Sequence, residues 1–262
     1  MVTSACAVSS APRLVSLPQP DLKPALRLEY IFDYRTAAVT VASISERDLG
    51  LPSFPITFRF YPHAAAFERA LLEVGYDAAL ARSTAKTMTA VGGYRGVLLN
   101  ELRLSGLEWP DRVALLAHEM THSLQYELGG GDRGTSDQWL REGFADWIAL
   151  RVLDRIADMS IARIRHARER ELRAAGRSKV PKLSELVTFP QWVRAGERHG
   201  ATIYALAFVA VDLLLERHGV ERLIVYFKQF ATSRDRLTNF RAAFGEDVES
   251  FERAVMERVW HR

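Results

Sequence analysis

The chain lacks three features, and each absence excludes a class of protein. It has one cysteine, Cys6, among 262 residues, so no disulfide can form within it and a zinc site built from several cysteines is excluded. No apolar run approaches the roughly twenty residues of a membrane-spanning helix, and the run at 203–215 is expected to be a buried core helix. Basic and acidic residues number 35 and 32, a balance that does not indicate a nucleic-acid partner. We therefore expect a globular protein with a substantial core.

Two histidines and a glutamate stand close together at 118–122. Because a helix turns by about 100° per residue, His118 and His122 leave it only about 40° apart, so both rings can converge on one ion. Glu119 lies beside the pair and could take a proton from a water molecule without binding the metal itself. The spacing predicts a catalytic metal site, with Zn²⁺ as the favoured ion and cobalt, nickel or manganese as alternatives.

The surrounding residues predict that this motif lies in the middle of a helix. Pro110 suits a first helical turn, and the glycine run at 129–131 suits a helix end. Leu116, Met120 and Leu124 recur every four residues and would pack the helix into the core while the histidines face elsewhere.

A catalytic zinc site needs three protein ligands, and the third is expected downstream. Glu142, in the segment 139–147, is the carboxylate that we expect to complete the set. A histidine ligand six residues after His122 is excluded, because that position is Leu128 and the glycine expected between them is Gln125.

These residues resemble those of the gluzincin metallopeptidases. Glu142 follows His122 by twenty positions, the thermolysin-like spacing, and 139–146 is similar to the tryptophan-leucine-x-glutamate-glycine-x-alanine-acid signature of bacterial peptidase MA-like domains. The resemblance extends more loosely over 97–260. It implies an α+β protein of thermolysin-like fold, with a small N-terminal mixed sheet, an active-site helix and a mostly helical C-terminal lobe.

The resemblance also implies roles for two further residues. Asp146, one helical turn after Glu142, matches an acid that accepts a hydrogen bond from the ring N–H of a zinc-binding histidine, at the nitrogen that does not bind the metal. This bond fixes the tautomer of the histidine. Tyr204, near the start of a later apolar helix, matches a tyrosine that stabilises the oxyanion. A tyrosine in such a helix is also often a core residue with a bonded hydroxyl, and this alternative stays open.

The expected activity is zinc-dependent hydrolysis of peptide bonds, with a peptide or protein as substrate. Glu119 would act as general base towards water whose pKa zinc lowers to about 7, and later pass the proton to the leaving amine. The alternative is a zinc-binding relative that recognises a peptide or protein partner without cutting it, or that has a very narrow substrate range. The glycine-x-methionine-x-asparagine motif of gluzincin aminopeptidases is absent, which favours an endopeptidase.

The region before the motif helix predicts mixed strands and helices. Strands are expected at 26–34, 37–44 and 56–61, and a helix at 64–74. The segment 89–100 would supply an edge strand along the cleft, where a peptide could add as a further strand.

Four residues are expected near a bound substrate: Gly92, Gly93 and Tyr94 on this strand, and His199 before the Tyr204 helix. The glycines would let substrate come close. A glycine-rich hairpin without a ligand is the alternative.

The stretch 161–179 is rich in arginine. It is expected to form a solvated helix, because acidic neighbours accompany the basic residues. Contact with nucleic acid or an anionic surface is one alternative, and a wall or lid of the cleft is another.

The N-terminus is expected to be a flexible tail over residues 1–24, followed by one peptidase domain with an α/β lobe at 25–128 and a helical lobe at 129–262. As written, it lacks the charged and apolar regions of a signal peptide, so a cytoplasmic protein is expected. Residues 3–6 resemble the end of a lipoprotein signal, so export is the alternative if the true start lies upstream of Met1. The sequence predicts no oligomeric state.

Overall fold

The computed structural model describes residues 11–132 and 134–260 and shows an α+β protein with a small mixed sheet and mostly helical content. The strands are β1 (Arg13–Leu17), β2 (Ile56–Tyr61), β3 (Ala90–Gly93) and β4 (Gly96–Asn100). The helices are α1 (Tyr34–Arg47), α2 (Ala64–Glu73), α3 (Ala78–Thr87), α4 (Glu101–Leu104), α5 (Trp109–Leu128), α6 (Gln138–Ala157), α7 (Ile161–Ala175), α8 (Phe189–His199), α9 (Thr202–Gln229), α10 (Arg236–Phe244) and α11 (Val248–Trp260). Helix α9 is broken at Gly219, where φ is 77°.

The four strands form one sheet in the order β1-β2-β4-β3. Strand β1 runs antiparallel to β2, β2 runs parallel to β4, and β3 runs antiparallel to β4. The strand predicted at 56–61 is confirmed, and its alternating burial follows from its alternating apolar side chains. The edge strand predicted in the segment 89–100 is confirmed: the segment forms a hairpin, and its first strand, β3, is an edge of the sheet.

Helix α5 begins and ends as its sequence predicts. Proline lies in its first turn, and Gly129 caps its C-terminus. Leu116, Met120 and Leu124 are all buried, so the predicted apolar stripe anchors the helix in the core. Helix α5 packs against α1, the sheet and α6.

One core spans the sheet and the C-terminal helices. A continuous cluster of buried apolar side chains runs from Val15 on β1 to Val259 on α11. A second, smaller cluster joins β2 and β4 to α2 and α3 through residues such as Phe67 and Leu98. The run at 203–215 lies in α9, where it is almost wholly buried, and this confirms a core helix. No helix within the described ranges combines the length and apolarity needed to cross a membrane.

Helices α6 and α9 approach each other closely at one glycine. A Cβ added to Gly143 would lie 2.3 Å from the carbonyl oxygen of Ala207. Only glycine, which has no side chain, allows this contact. Because Gly143 follows Glu142 directly, α9 packs against α6 beside Glu142.

Two predictions for the N-terminal region are wrong. Residues 26–34 and 37–44 form no strand; they contain a 3-10 turn, Leu28–Tyr30, and most of α1. The β-branched residues of α1 favour a strand locally. However, Ala37, Val41 and Ile44 recur at helical spacing and are buried together. The side chain of Asp33 caps the N-terminus of the helix by accepting a hydrogen bond from the backbone N–H of Thr36.

The expected tail is also corrected in part. Residues 13–17 form β1, which pairs along its whole length with β2 and buries Val15 and Leu17. Residues 1–10 lie outside the described ranges.

The basic stretch forms α7, as predicted, followed by a 3-10 turn at Arg177–Lys179. Several of its basic side chains pair with carboxylates of this same chain: Arg165 binds Asp212 and Glu216 on α9, and Arg168 binds Glu171. A role for α7 as a wall or lid of the cleft stays a prediction.

Candidate metal centre

The two histidines of α5 project from one face and meet at their outer nitrogens. The Nε2 atoms of His118 and His122 are 3.0 Å apart, and the two rings are almost perpendicular, at 85°. Both side chains are largely buried, with exposures of 16% and 13%. Helix α5 therefore presents two imidazole nitrogens to one point in space.

Helix α6 brings a carboxylate to the same point. The Oε2 atom of Glu142 is 3.5 Å from Nε2 of His118, and its Oε1 atom is 3.7 Å from Nε2 of His122. Gln138, one turn earlier on α6, donates its side-chain N–H to Glu142 Oε1 at 2.6 Å. His118, His122 and Glu142 form a group that could hold a metal ion.

Both imidazoles are hydrogen-bonded at their inner nitrogens. Nδ1 of His118 donates to Asp146 Oδ1 at 2.9 Å, and Nδ1 of His122 donates to the side-chain oxygen of Gln125 at 3.0 Å. The amide nitrogen of Gln125 donates to the backbone oxygen of Arg141, and this fixes which end of the amide faces His122. With both hydrogens on Nδ1, the neutral rings direct two Nε2 lone pairs at each other, an arrangement that favours a shared cation.

The spacing between the two imidazole nitrogens and the carboxylate of Glu142 fits a tetrahedral ion. Ligands about 2.0–2.1 Å from a tetrahedral zinc ion lie about 3.3 Å from one another. The two imidazole nitrogens are 3.0 Å apart; Nε2 of His118 is 3.5 Å from Oε2 of Glu142, and Nε2 of His122 is 3.7 Å from its Oε1. These separations lie on either side of that value. Two nitrogens and one carboxylate oxygen leave a fourth position, as a catalytic site requires.

The pKa shifts of His118 and Glu142 also favour a cation between these side chains. Burial lowers the pKa of His118, but the hydrogen bonds to Asp146 and Glu142 outweigh it and hold that pKa well above its usual value. Burial raises the pKa of Glu142, but His122 and His118 outweigh it and hold that pKa well below its usual value. The carboxylates thus stabilise positive charge between the rings.

Glu119 lies next to His118 on α5 and is buried, with 6% of its surface exposed. Strand β3 packs directly over it: a Cβ on Gly92 would lie 2.7 Å from the backbone oxygen of Glu119, 3.0 Å from its Oε2 atom and 2.9 Å from Cβ of His122. Gly92 therefore permits a close approach to α5, and the approach of substrate to this strand stays a prediction. A Cβ on Gly93 would meet only the oxygen of Gly96, at 3.8 Å.

Tyr94 lies at the turn between β3 and β4, beside the C-terminal end of α5. Its ring faces Gly131, and the guanidinium of Arg95 lies 5.0 Å from its centre. Arg95 makes two hydrogen bonds to Glu127, of 2.8 and 2.7 Å. These contacts fix the hairpin to the motif helix, about one to two turns beyond His122.

Tyr204 lies in the first turn of α9, close enough to Glu142 for the charge of that carboxylate to shift the pKa of its phenol. Burial raises the pKa of its phenol, Glu142 raises it further, and a hydrogen bond from Trp192 opposes both. The side chain keeps 39% of its surface exposed. His199, which is expected near a bound substrate, is the last residue of α8, and that expectation stays a prediction.

Four residues at this site were not identified from the sequence. Gln125 lies three positions after His122 and Gln138 four before Glu142, so helical spacing could have indicated both. Gly143 and Trp192 act through contacts with α9, and no local pattern predicts such contacts.

Comparison of the chain with protein-family models, with curated proteins and with solved structures found no match.

Proposed function

We propose that this chain is a zinc-dependent metallopeptidase whose zinc ligands are His118, His122 and Glu142. The observation that carries the proposal is the convergence of two Nε2 atoms and one carboxylate within 3.0–3.7 Å, with both inner imidazole nitrogens already bonded. Two imidazoles and a carboxylate form a donor set that suits zinc.

We assign the protein to the gluzincin family of metallopeptidases on the basis of its zinc-binding motif. The histidine pair with its intervening glutamate, the ligand twenty positions later and the acid behind His118 are the features of that family, and the hydrogen bond from His118 to Asp146 supports the assignment. The small sheet beside α5 and the helices that follow are compatible with the gluzincin fold.

The side chains around the site have separate roles in the proposed reaction. A zinc ion bound there supplies a Lewis acid that lowers the pKa of water to about 7. Glu119 accepts a proton from the attacking water and delivers it to the departing amide nitrogen. Asp146 and Gln125 hold the two imidazoles in the required tautomer, and Tyr204 donates to the oxyanion as it forms.

The proposed substrate is an extended peptide bound along β3. This strand pairs with β4 on one side and is an edge of the described sheet on the other, while it packs over Glu119. A peptide that added to this edge would pass beside the metal ligands, with its backbone bonded and its ends unrestricted. This arrangement favours an endopeptidase.

The test combines metal content with cleavage of a peptide library. Wild-type protein is expected to contain zinc and to cleave library members, whereas Glu119→Gln keeps its zinc and loses cleavage. Glu101→Gln, the same change at a partly exposed glutamate paired with Arg13, is the matched control and keeps both properties. Zinc without any cleavage in the wild type would instead support the binding relative.

A further inference from the structure

Gln138 lies one helical turn before Glu142 on α6 and touches its carboxylate. The side-chain N–H of Gln138 donates to Oε1 of Glu142 at 2.6 Å. A carboxylate can only accept, so the amide must present its nitrogen to Glu142. The bond therefore has one direction, and it holds one of the two carboxylate oxygens.

Both partners of this bond are shielded from water. Gln138 has 3% of its surface exposed, and the side chain of Glu142 has 13%. A hydrogen bond in such surroundings is stronger than one at the surface. Because the amide is neutral, it holds the carboxylate without neutralising it, and the negative charge of Glu142 stays available to a cation.

The backbone that carries Gln138 is fixed at more than one point. Its own N–H donates to the carbonyl oxygen of Val187 at 2.8 Å. Asp137, directly before it, is fully buried, and it accepts hydrogen bonds from Arg236 at 2.7 Å and from the hydroxyl of Tyr226 at 3.2 Å. The amide of Gln138 therefore extends from an anchored first turn of α6.

The two oxygens of Glu142 have different surroundings. Oε1 accepts the bond from Gln138 and lies 3.7 Å from Nε2 of His122, whereas Oε2 lies 3.5 Å from Nε2 of His118. Among the residues that the structure describes, no amide, hydroxyl or guanidinium donates to Oε2. The bond to Gln138 thus sets the rotation of the carboxylate and leaves Oε2 towards the histidine pair.

We propose that Gln138 is a positioning residue that holds the Glu142 carboxylate by its Oε1 atom, in the orientation in which Oε2 binds the metal ion. The proposal rests on the proposed function, because it takes His118, His122 and Glu142 as the zinc ligands. Gln138 acts only through Glu142. A carboxylate that is already oriented loses less freedom when the ion binds, so the contribution of Gln138 is to zinc affinity.

The test measures zinc affinity by competition with a fluorescent chelator. Gln138→Met keeps the length of the side chain and removes the N–H; it is expected to weaken zinc binding about tenfold. In a Glu142→Ala background, where the histidine pair alone binds zinc, the same change is expected to have no further effect, because the carboxylate on which the amide acts is gone. A general disturbance of α6 would instead weaken zinc binding in both backgrounds, since Asp146 on the same helix holds His118.

Two further variants separate this role from the general loss of a glutamine. Gln229 is the last residue of α9, at the opposite end from Tyr204, and its side-chain oxygen has no partner within the described ranges. Gln229→Met is the matched control and is expected to leave zinc affinity unchanged. Gln138→Asn keeps an amide that is one methylene too short to hold Oε1, and it is expected to reproduce the loss seen in Gln138→Met.

The outcomes that contradict the proposal are distinct from failure of the peptidase assignment. Unchanged zinc affinity in Gln138→Met, or an equal loss with and without Glu142, would overturn the positioning role alone. A wild type that binds no zinc would overturn the proposed function, and this role with it. If the wild type binds zinc and cleaves no library peptide, the peptidase activity is refuted, and a tenfold loss confined to proteins with Glu142 still supports the role of Gln138.

Discussion

The close contact at Gly143 predicts that a single added methyl group will disturb the fold. The Cβ of Gly143→Ala would lie 2.3 Å from the oxygen of Ala207 and 2.8 Å from a methyl of Val211. An ordinary carbon–oxygen contact is about 3.3 Å, so the two helices must separate by about 1 Å. Overpacking against backbone costs about 3 kcal/mol, and alanine returns about 1 kcal/mol of helix propensity. The net loss of about 2 kcal/mol lowers the melting temperature by about 4–8 °C.

A second helical glycine provides the matched control. A Cβ on Gly196 in α8 would meet only the Cδ1 atom of Ile203, at 3.5 Å, which is an ordinary contact. Gly196→Ala is therefore expected to be neutral or to stabilise the protein by up to about 1 kcal/mol. Urea unfolding of the two variants measures the contrast. A Gly143→Ala protein as stable as Gly196→Ala would refute the close-packing argument.

The same substitution is also expected to lower activity. Separation of α6 from α9 by about 1 Å displaces Tyr204 from Glu142, and a displacement of that size can cost about 100-fold in rate. The metal ligands lie on α5 and α6, so zinc content should stay unchanged. Cleavage and zinc content of Gly143→Ala are measured on folded protein below its melting temperature.

Three further predictions concern single side chains. Asp146→Asn removes the carboxylate bonded to His118 and should weaken zinc affinity by about 10- to 100-fold in a chelator competition. Burial raises the pKa of Asp137 from 3.8 to about 6 against the opposing effect of Arg236, so the folded state holds this proton more tightly than the unfolded chain. The resulting stability is complete below the unfolded pKa and is lost as pH rises through about 6. Relative to Asp137→Asn, wild-type stability in urea should therefore fall by about 2 kcal/mol between pH 4 and pH 7, and a constant difference would contradict this. Arg258→Met leaves the buried carboxylate of Glu169 without its 2.9 Å partner and should destabilise by at least about 3 kcal/mol, whereas Arg13→Met, at a partly exposed pair, should cost under about 1 kcal/mol.

The residues of the candidate metal site could be predicted as one group because most of the site's geometry is set within single helices. His118 and His122 share one helical face, and Glu142 and Asp146 share another, so helical spacing fixes two pairs before any tertiary contact is known. Only the docking of α6 on α5 is then needed to bring the pairs together.

The failures of prediction arose where tertiary packing decides the structure. Helix α1 is rich in β-branched residues, and its helical form is stabilised by burial of one face against the core, which local propensity does not register. Strand β1 follows a proline and small-residue region, yet it is held by its pairing with β2. Trp192 is separated from Tyr204 by twelve positions and a helix break, so no periodic pattern connects them.

The most direct test of the central claim is the zinc content of purified protein never exposed to chelator. Elemental analysis of the wild type is expected to give about one zinc per chain, and Glu142→Ala, which removes the ligand from α6, should lose most of it. Absence of metal from the wild type, or equal zinc in both proteins, would contradict the assignment of His118, His122 and Glu142 as a catalytic zinc site.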